Sequence, residues 1–199
     1  MASPTLTSGA VQRLREAFAR ADYTADGVQA LLGPVAQEAL GRGETVPARR
    51  ATSGGTALET LVRLFPLQLA VPATAAAAAL PLRDLLAGGL VTRDGDEVRA
   101  AVDVRPYAEA DDRETSWWVV SDLGTGLDGV TAPLPADHVV GLGGASTTLA
   151  QLTVRRPVAR TLDLGTGSGV QALHATRHSG RVVATDVSAR ALAMAALTT

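Results

Sequence analysis

The sequence contains no cysteine, lysine, asparagine or isoleucine, and aromatic residues occupy only 3% of its 199 positions. The absence of cysteine excludes disulfide bonds and thiolate metal sites, which fits a cytoplasmic protein. Lysine, asparagine and isoleucine have AT-rich codons, so we attribute their absence to a GC-rich genome and not to function. Because there is no run of eighteen apolar residues and no signal-peptide pattern, we expect no membrane span and no membrane partner.

The charge balance is close to neutral along the whole chain. The 18 basic residues, all of them arginine, face 20 acidic residues and leave a formal net charge of −2. Residues 1–110 alone hold 11 arginines against 12 aspartates and glutamates. A protein that binds nucleic acid through its phosphates needs a basic surface, and none is visible here. The 46% hydrophobic content predicts a globular chain of one or two domains.

The segment from 161 to 186 has an apolar strand, a glycine-rich turn, a helix of about ten residues and a second apolar strand. This order is that of the first βαβ unit of a doubly wound nucleotide-binding sheet. Glycines let the backbone approach a ligand closely, and an acid about twenty residues further on lies where such folds bind ribose hydroxyls. The residues concerned are Asp163, Gly165, Gly167, Gly169 and Asp186.

The spacing of this segment, D-x-G-x-G-x-G from Asp163, resembles motif I of the class I S-adenosylmethionine-dependent methyltransferases. Residues 183–188, Val-Ala-Thr-Asp-Val-Ser, resemble the motif that follows it in that family. A dinucleotide fingerprint, G-x-G-x-x-G, would need a third glycine where this chain has Val170. A nicotinamide or flavin site and a ligand-free turn remain alternatives. The resemblance implies a site for S-adenosylmethionine made of Asp163, Gly165, Thr166, Gly167, Gly169, Asp186 and Val187, with Asp186 on the ribose.

The resemblance does not supply catalytic residues, which remain unknown. Relatives that methylate amide or exocyclic amine nitrogens hold the acceptor with an Asn-Pro-Pro-Tyr/Phe motif, and this chain has no asparagine. Residues 161–199 are also too few to complete a seven-stranded methyltransferase sheet. We therefore expect the chain to be the N-terminal portion of a longer enzyme, inactive alone, whose methyl acceptor is a protein side chain (glutamine-type) or a nucleic-acid base.

Residues 137–149 occupy the position of a loop and helix that close over the cofactor in HemK-type methyltransferases, the release-factor glutamine methyltransferases and their relatives. The resemblance lies in the position of the segment and in its small residues. The Arg-Pro-Glu-Thr sequence that is usual in that loop is missing. The resemblance implies a cofactor lid in a helix that ends at Leu152. Its candidate residues are Gly143, Gly144, Ser146 and Thr147.

The first hundred residues show helical periodicity followed by a hairpin. The apolar spacing predicts helices over 11–21, 24–40, 56–64, 72–80 and 82–86, with a loop over 41–55. Residues 90–104 predict a β-hairpin with Asp94-Gly95 as its type I′ turn. This order suggests a winged-helix-like domain. In its last helix, only Arg83 and Asp84 have side chains that could contact the edges of DNA bases. We therefore expect a structural or substrate-recognition module and keep a DNA-binding regulator as the alternative.

Between the two parts, Glu109 to Glu114 is expected to be a solvated acidic linker at a domain boundary. A strand over 116–121 follows, in which Trp117 and Trp118 face opposite sides. The next residues, 122–126, nearly copy 163–167. Two prolines after them prevent a helix from forming, so we expect a turn that binds no cofactor.

The three histidines show no catalytic or metal-binding pattern. His174 and His178 lie one turn apart, a spacing that can ligate zinc, but no third ligand or general-base glutamate accompanies them. His138 has no nucleophile to pair with. We expect packing or solvent roles for all three, and no metal.

Together these patterns predict an α/β protein with three parts: a winged-helix-like N-terminal domain (1–106), connecting strands and a pre-sheet helix (107–160), and the start of a Rossmann-like methyltransferase domain (161–199). The predicted function is that of a cytoplasmic S-adenosylmethionine-dependent N-methyltransferase. The alternatives are a winged-helix DNA-binding regulator with a nucleotide-sensing segment and an NAD(P)-dependent oxidoreductase fragment. The oligomeric state is not predicted.

Overall fold

A computed structural model of the chain describes residues 3–109 and 112–198 and shows a mixed α/β protein. No helix in these two ranges is long and apolar enough to cross a lipid bilayer. The helices are α1 (Ser8–Arg20), α2 (Ala25–Gly41), α3 (Val46–Ala51), α4 (Ala57–Leu64), α5 (Ala73–Ala79), α6 (Leu82–Ala87), α7 (Gly144–Leu152), α8 (Val170–Thr176) and α9 (Ala189–Leu197). The strands are β1 (Val71–Pro72), β2 (Val91–Asp94), β3 (Glu97–Ala100), β4 (Asp103–Glu109), β5 (Asp112–Ser121), β6 (Thr161–Leu164) and β7 (Val182–Thr185).

The first helices begin at side-chain caps that the sequence supplies. The hydroxyls of Thr7 and Thr24 accept backbone N–H groups at the starts of α1 and α2, which satisfies donors that a helix leaves free. Helix α2 bends at Gly33, whose φ of +66° interrupts the helix before Pro34. The predicted loop over 41–55 is wrong in its centre, because α3 forms there with Pro47 in its first turn, a position where proline favours a helix.

A three-stranded antiparallel sheet follows, in the order β1-β3-β2. The predicted helix over 72–80 begins one residue later, because Val71 and Pro72 pair with β3 as a short strand. The hairpin of β2 and β3 is confirmed, but its turn is one residue later than predicted. Asp94 pairs with Glu97, so the two turn residues are Gly95, with a φ of +54°, and Asp96. The predicted strand over 97–104 is interrupted after Ala100.

Strands β4 and β5 form an antiparallel hairpin, so residues 109 and 112–114 belong to strands and not to the linker predicted over 109–114. Both strands run into that acidic segment, and residues 110 and 111 lie outside the described ranges. The two tryptophans of β5 do face opposite sides, as predicted. The ring of Trp118 lies 5.3 Å from that of Phe18 in α1, and the ring of Trp117 stacks on Tyr107 at 6.0 Å.

One hydrophobic core connects the helical part of the chain to β5 and α9. Phe18, Tyr23 and Trp118 are buried in it, and so is Met194 of α9. Two buried hydrogen bonds cross the core: the Tyr23 hydroxyl donates to the Val104 carbonyl at 2.7 Å, and Trp118 Nε1 donates to the Tyr23 carbonyl at 2.8 Å. Apolar side chains therefore pack across the boundary predicted at residue 106.

Strands β6 and β7 pair in parallel, as the βαβ pattern predicts, with Asp163 opposite Ala184. Helix α8 connects them and spans seven residues, fewer than the ten predicted. On one face of this sheet, Leu162 and Leu164 are 62% and 82% exposed. Because the two strands are parallel, their carboxyl ends lie at one edge of the sheet, where the glycine-rich turn begins.

Candidate cofactor-binding site

The glycine-rich turn has a backbone that only glycine adopts without strain. Gly165, Gly167 and Gly169 have φ angles of +75°, +56° and +86°, in the left-handed region. A methyl group added to Gly169 would lie 3.2 Å from the Cβ of Ala195, so this glycine lets α9 pack closely. At Gly165 and Gly167, no heavy atom of the described residues lies within 4 Å of an added Cβ. The turn therefore packs through its third glycine and is open at the first two.

Asp186 follows β7 and reaches back to this turn. Its Oδ2 accepts the Gly167 N–H at 2.9 Å, and its Oδ1 accepts the Ser188 N–H at the same distance. The Ser188 N–H and then the Gly167 N–H lower the pKa of this carboxyl below its usual range. Asp186 therefore stays ionised at neutral pH and keeps lone pairs for a hydroxyl donor.

Asp163 and Thr166 hold the turn from the β6 side. The Thr166 hydroxyl donates to Asp163 Oδ2 at 2.7 Å, and the Thr166 side chain is buried. The N–H groups of Gly165 and Thr166 both donate to the Thr185 carbonyl, at 2.8 and 2.9 Å. Thr166 thus braces the turn, while Val187, next to Asp186, exposes its whole side chain at the open edge. The structure brings all the sequence-predicted site residues to one end of the β6–β7 sheet.

The candidate lid residues lie at the beginning of α7. The hydroxyls of Ser146 and Thr147 donate to the Gly143 carbonyl at 2.9 and 3.1 Å, so they are used within the first turn of the helix. Helix α7 is linked to the helix after the glycine turn, because Gln171 Nε2 donates to the Ser146 carbonyl at 2.8 Å. The predicted helix end at Leu152 is confirmed.

The near copy of the motif at 122–126 is an irregular segment that forms no helix, as predicted, and a short 3-10 helix over Leu127–Gly129 follows it. Its acid has a role that the sequence did not reveal. Asp122 forms an ion pair with Arg190 of α9, and its Oδ2 accepts the Val139 N–H at 2.8 Å. The one available signal was an arginine in the first turn of a helix, where a positive charge is unfavourable.

His174 is buried and packs against the β4–β5 hairpin. Its Nε2 lies 2.9 Å from the Tyr107 hydroxyl, and its ring meets that of Trp117 edge-on at 5.4 Å. The packing role predicted for His174 is confirmed, although sequence reasoning did not identify these partners. Among residues 3–109 and 112–198, no group of three or more histidine or acidic side chains is placed to hold a metal ion.

A comparison with protein-family models finds a match on the N-terminal side of the chain. A family model described as a domain of unknown function, DUF7059, matches residues 20–101. The match covers the segment from the end of α1 through β3 and stops before the glycine-rich turn. A search of curated proteins finds no match to the chain. The β6–β7 edge lies outside the matched residues.

Proposed function

We propose that residues 161–188 form the S-adenosylmethionine-binding unit of a class I methyltransferase. The observation that carries this proposal is the position of the Asp186 carboxylate, 2.9 Å from the Gly167 amide nitrogen, beside two glycines with open space above them. An ionised acid at the carboxyl end of a parallel strand, next to a glycine-rich turn, is suited to accept hydrogen bonds from the two hydroxyls of a ribose.

The chemistry proposed for the enzyme is methyl transfer to nitrogen in a protein side chain or a nucleic-acid base. S-adenosylmethionine carries its methyl group already activated on a sulfonium, so the protein mainly binds and orients the reactants. In this chain, Asp186 would fix the ribose, and the backbone of Gly165 and Gly167 would approach the cofactor closely. Val187 would contribute an apolar contact at the same edge.

A nicotinamide-dependent oxidoreductase is the competing interpretation. Counted from Gly165, its fingerprint needs a third glycine at the position of Val170, where close packing of helix on strand leaves no room for a side chain. The Val170 side chain is instead buried at the start of α8. This packing disfavours a dinucleotide fingerprint that begins at Gly165.

The exposed face of the β6–β7 sheet also supports the proposal. Leu162, Leu164 and Val183 are all substantially exposed on it. Parallel sheets in α/β proteins are covered on both faces, so this surface fits a unit that works within a larger sheet.

We further propose that residues 57–100 form a winged-helix-like unit. The supporting observation is the order α4, β1, α5, α6, β2, β3 together with the sheet order β1-β3-β2. Helix α6 would be the reading helix in a DNA-binding member. There, Asp84 forms an ion pair with Arg13 at 2.8 Å, and the turn between β2 and β3 carries the acidic Asp96. These charges favour a structural or substrate-recognition module.

Calorimetric titration of the chain with S-adenosylhomocysteine, the stable product form of the cofactor, tests the proposed function. We expect saturable binding, and about 10- to 100-fold weaker binding by Asp186→Asn, the range for a lost charge-assisted hydrogen bond. Asp128→Asn is the matched control, because Asp128 is also a hydrogen-bonded acid but contacts Thr45 in the helical part. Binding of NAD in preference to S-adenosylhomocysteine, or binding of neither, would overturn the proposal.

A further inference from the structure

Arg190 and Asp122 form a nearly buried ion pair between α9 and the end of β5. The Arg190 guanidinium contacts Asp122 through both Nε and Nη2, and Nε lies 3.1 and 3.2 Å from the two carboxylate oxygens. The side chains are 6% and 11% exposed, and they are separated by 68 residues in the chain. Removing one partner of such a pair strongly destabilises the fold, because the other partner remains as an uncompensated buried charge.

The location of Arg190 within α9 makes this ion pair necessary. Arg190 is the second residue of the helix, which begins after the Ser188 cap. A cation in the first turn opposes the helix dipole, and burial adds a desolvation cost. Asp122 offsets both effects by bringing a carboxylate to that end of the helix. The hydrogen bond that the guanidinium donates to the Asp122 carboxylate raises the pKa of Arg190.

The same end of α9 contacts Asp186, the residue proposed to bind the cofactor ribose. The Ser188 N–H donates to Asp186 Oδ1, and the Ser188 hydroxyl accepts the Ala191 N–H at 3.2 Å. The start of the helix is thus attached to Asp186 on one side and, through Arg190, to Asp122 on the other. A shift of α9 at this point would move the Ser188 N–H and, with it, the Asp186 carboxylate.

We infer that Asp122 and Arg190 are positioning residues that fix the Asp186 carboxylate for the cofactor ribose. This inference rests on the proposed function. The near copy of the glycine motif therefore contributes through its acid, which anchors the helix behind the second motif.

Asp122 also connects α9 to the segment that leads to the candidate lid. The Asp122 carboxylate accepts the Val139 N–H at 2.8 Å, and the Asp122 N–H donates to the Val139 carbonyl at 3.0 Å. The chain from Val139 then leads to α7, which Gln171 binds at the Ser146 carbonyl. One carboxylate therefore joins the segment before α7 to the helix that follows Asp186.

The test compares two ligands, S-adenosylhomocysteine and its analogue without the ribose 2′-hydroxyl. We expect the wild-type chain to prefer the complete ribose by about tenfold or more, the effect of one hydrogen bond to a charged group. In Asp122→Asn, we expect this preference to fall to about twofold or less, since Asp186 is no longer held in place. A general loss of stability would weaken both ligands alike and leave their ratio unchanged.

Three variants complete the design. Asp128→Asn, an acid in the same loop that contacts Thr45 and not α9, should keep the wild-type ratio. Asp122→Glu retains the carboxylate and should recover part of the preference. If Asp122→Asn does not fold, Arg190→Lys replaces it, because lysine keeps the charge but loses the two-pronged contact. The same loss of preference is then expected.

Two results overturn the inference and are distinguishable. If Asp122→Asn, or its replacement Arg190→Lys, retains the wild-type ratio, the positioning role is wrong and the proposed function stands. If the wild-type chain binds both ligands equally, Asp186 does not read the ribose. The proposed role of Asp186 then fails, together with the inference that depends on it.

Discussion

The hydroxyl of Tyr107 lies 2.9 Å from Nε2 of the buried His174 and joins the β4–β5 hairpin to the helix that follows the glycine-rich turn. Trp117 packs against both rings, at 6.0 and 5.4 Å. The three side chains form a contact between two parts of the chain that the sequence alone separates at residue 160.

Replacing Tyr107 with phenylalanine should weaken this contact without removing the ring packing. Because the variant loses a hydrogen bond to a buried group, we expect the free energy of unfolding to fall by about 1 kcal/mol. Urea denaturation monitored by circular dichroism measures the change. Gln12→Ala is the control, since it removes an exposed hydrogen bond to Glu16 in α1 and should have a smaller effect. Equal stability of Tyr107→Phe and the wild type would show that the hydrogen bond contributes nothing.

The buried Asp103 and the nearly buried Asp122 should have opposite effects on how stability changes with pH. Burial raises the pKa of Asp103 despite the Arg105 guanidinium, whose Nε lies 2.5 Å from its Oδ2. The folded chain therefore holds the Asp103 proton more tightly than the unfolded chain, and this contribution to stability is lost as the pH rises from about 4. For Asp122, burial acts to raise the pKa, but the hydrogen bonds from Arg190 and the Val139 N–H outweigh it and lower the pKa. Its contribution is present above about pH 4 and is lost as the pH falls.

Denaturation of Asp103→Asn and Asp122→Asn between pH 3 and pH 7 separates the two effects. Relative to the wild type, Asp103→Asn should gain stability as the pH rises, and Asp122→Asn should lose it. The sign of each slope does not depend on the size of the pKa shift. Parallel pH profiles for the two variants would contradict the assignment.

Gly165 and Gly55 both need a positive φ, but only Gly165 lies in the candidate cofactor-binding turn. Gly165 and Gly55 have φ angles of +75° and +81°, and at both an added Cβ meets no heavy atom of the described residues within 4 Å. Substitution by alanine should cost each about 1 kcal/mol through backbone strain. Only Gly165→Ala should also weaken binding of S-adenosylhomocysteine, because its methyl group would occupy the space next to the cofactor. If titration calorimetry gives the two variants the same affinity, the open space at Gly165 is not a ligand site.

The helical part of the chain should not bind DNA as a winged-helix regulator does. In fluorescence anisotropy at about 0.15 M salt, we expect no micromolar binding to mixed-sequence duplexes, because the arginines are balanced by nearby acids such as Asp84. Tight binding with a steep dependence on salt concentration would instead identify α6 and the β2–β3 hairpin as a DNA-binding surface.

The sequence predicted the elements that local signals define. The capping box of Thr56 and Glu59 marks the beginning of α4, and the glycines of the 165–169 turn mark the boundary between β6 and α8. The two-residue strand β1 could not be predicted this way, because Val71 becomes a strand residue only by pairing with Val98. The pair of turn residues between β2 and β3 depends likewise on the register of the two strands, so the Asp94-Gly95 signal placed the turn one residue too early.

The sequence was enough to predict the motif of the site but not the long-range contacts that hold it in place. The glycine spacing alone predicts that the turn and Asp186 lie at one edge of the sheet. The position of Arg190 in the first turn of a helix was the one available signal, and its partner Asp122 lies 68 residues away. Long-range ion pairs of this kind have no local sequence pattern, so the contacts that hold the site emerge only from the folded chain.

The most direct test of the account is a titration of the ¹⁵N-labelled chain with S-adenosylhomocysteine, followed by NMR through the glycine amide signals. We predict that the signals of Gly165 and Gly167 shift on binding, together with those of Asp186 and Val187. The near copy of the motif provides an internal reference, since Gly124 and Gly126 should remain unchanged. Shifts at Gly124 and Gly126 alone, or no shift at any glycine at millimolar ligand, would contradict the assignment of the cofactor site.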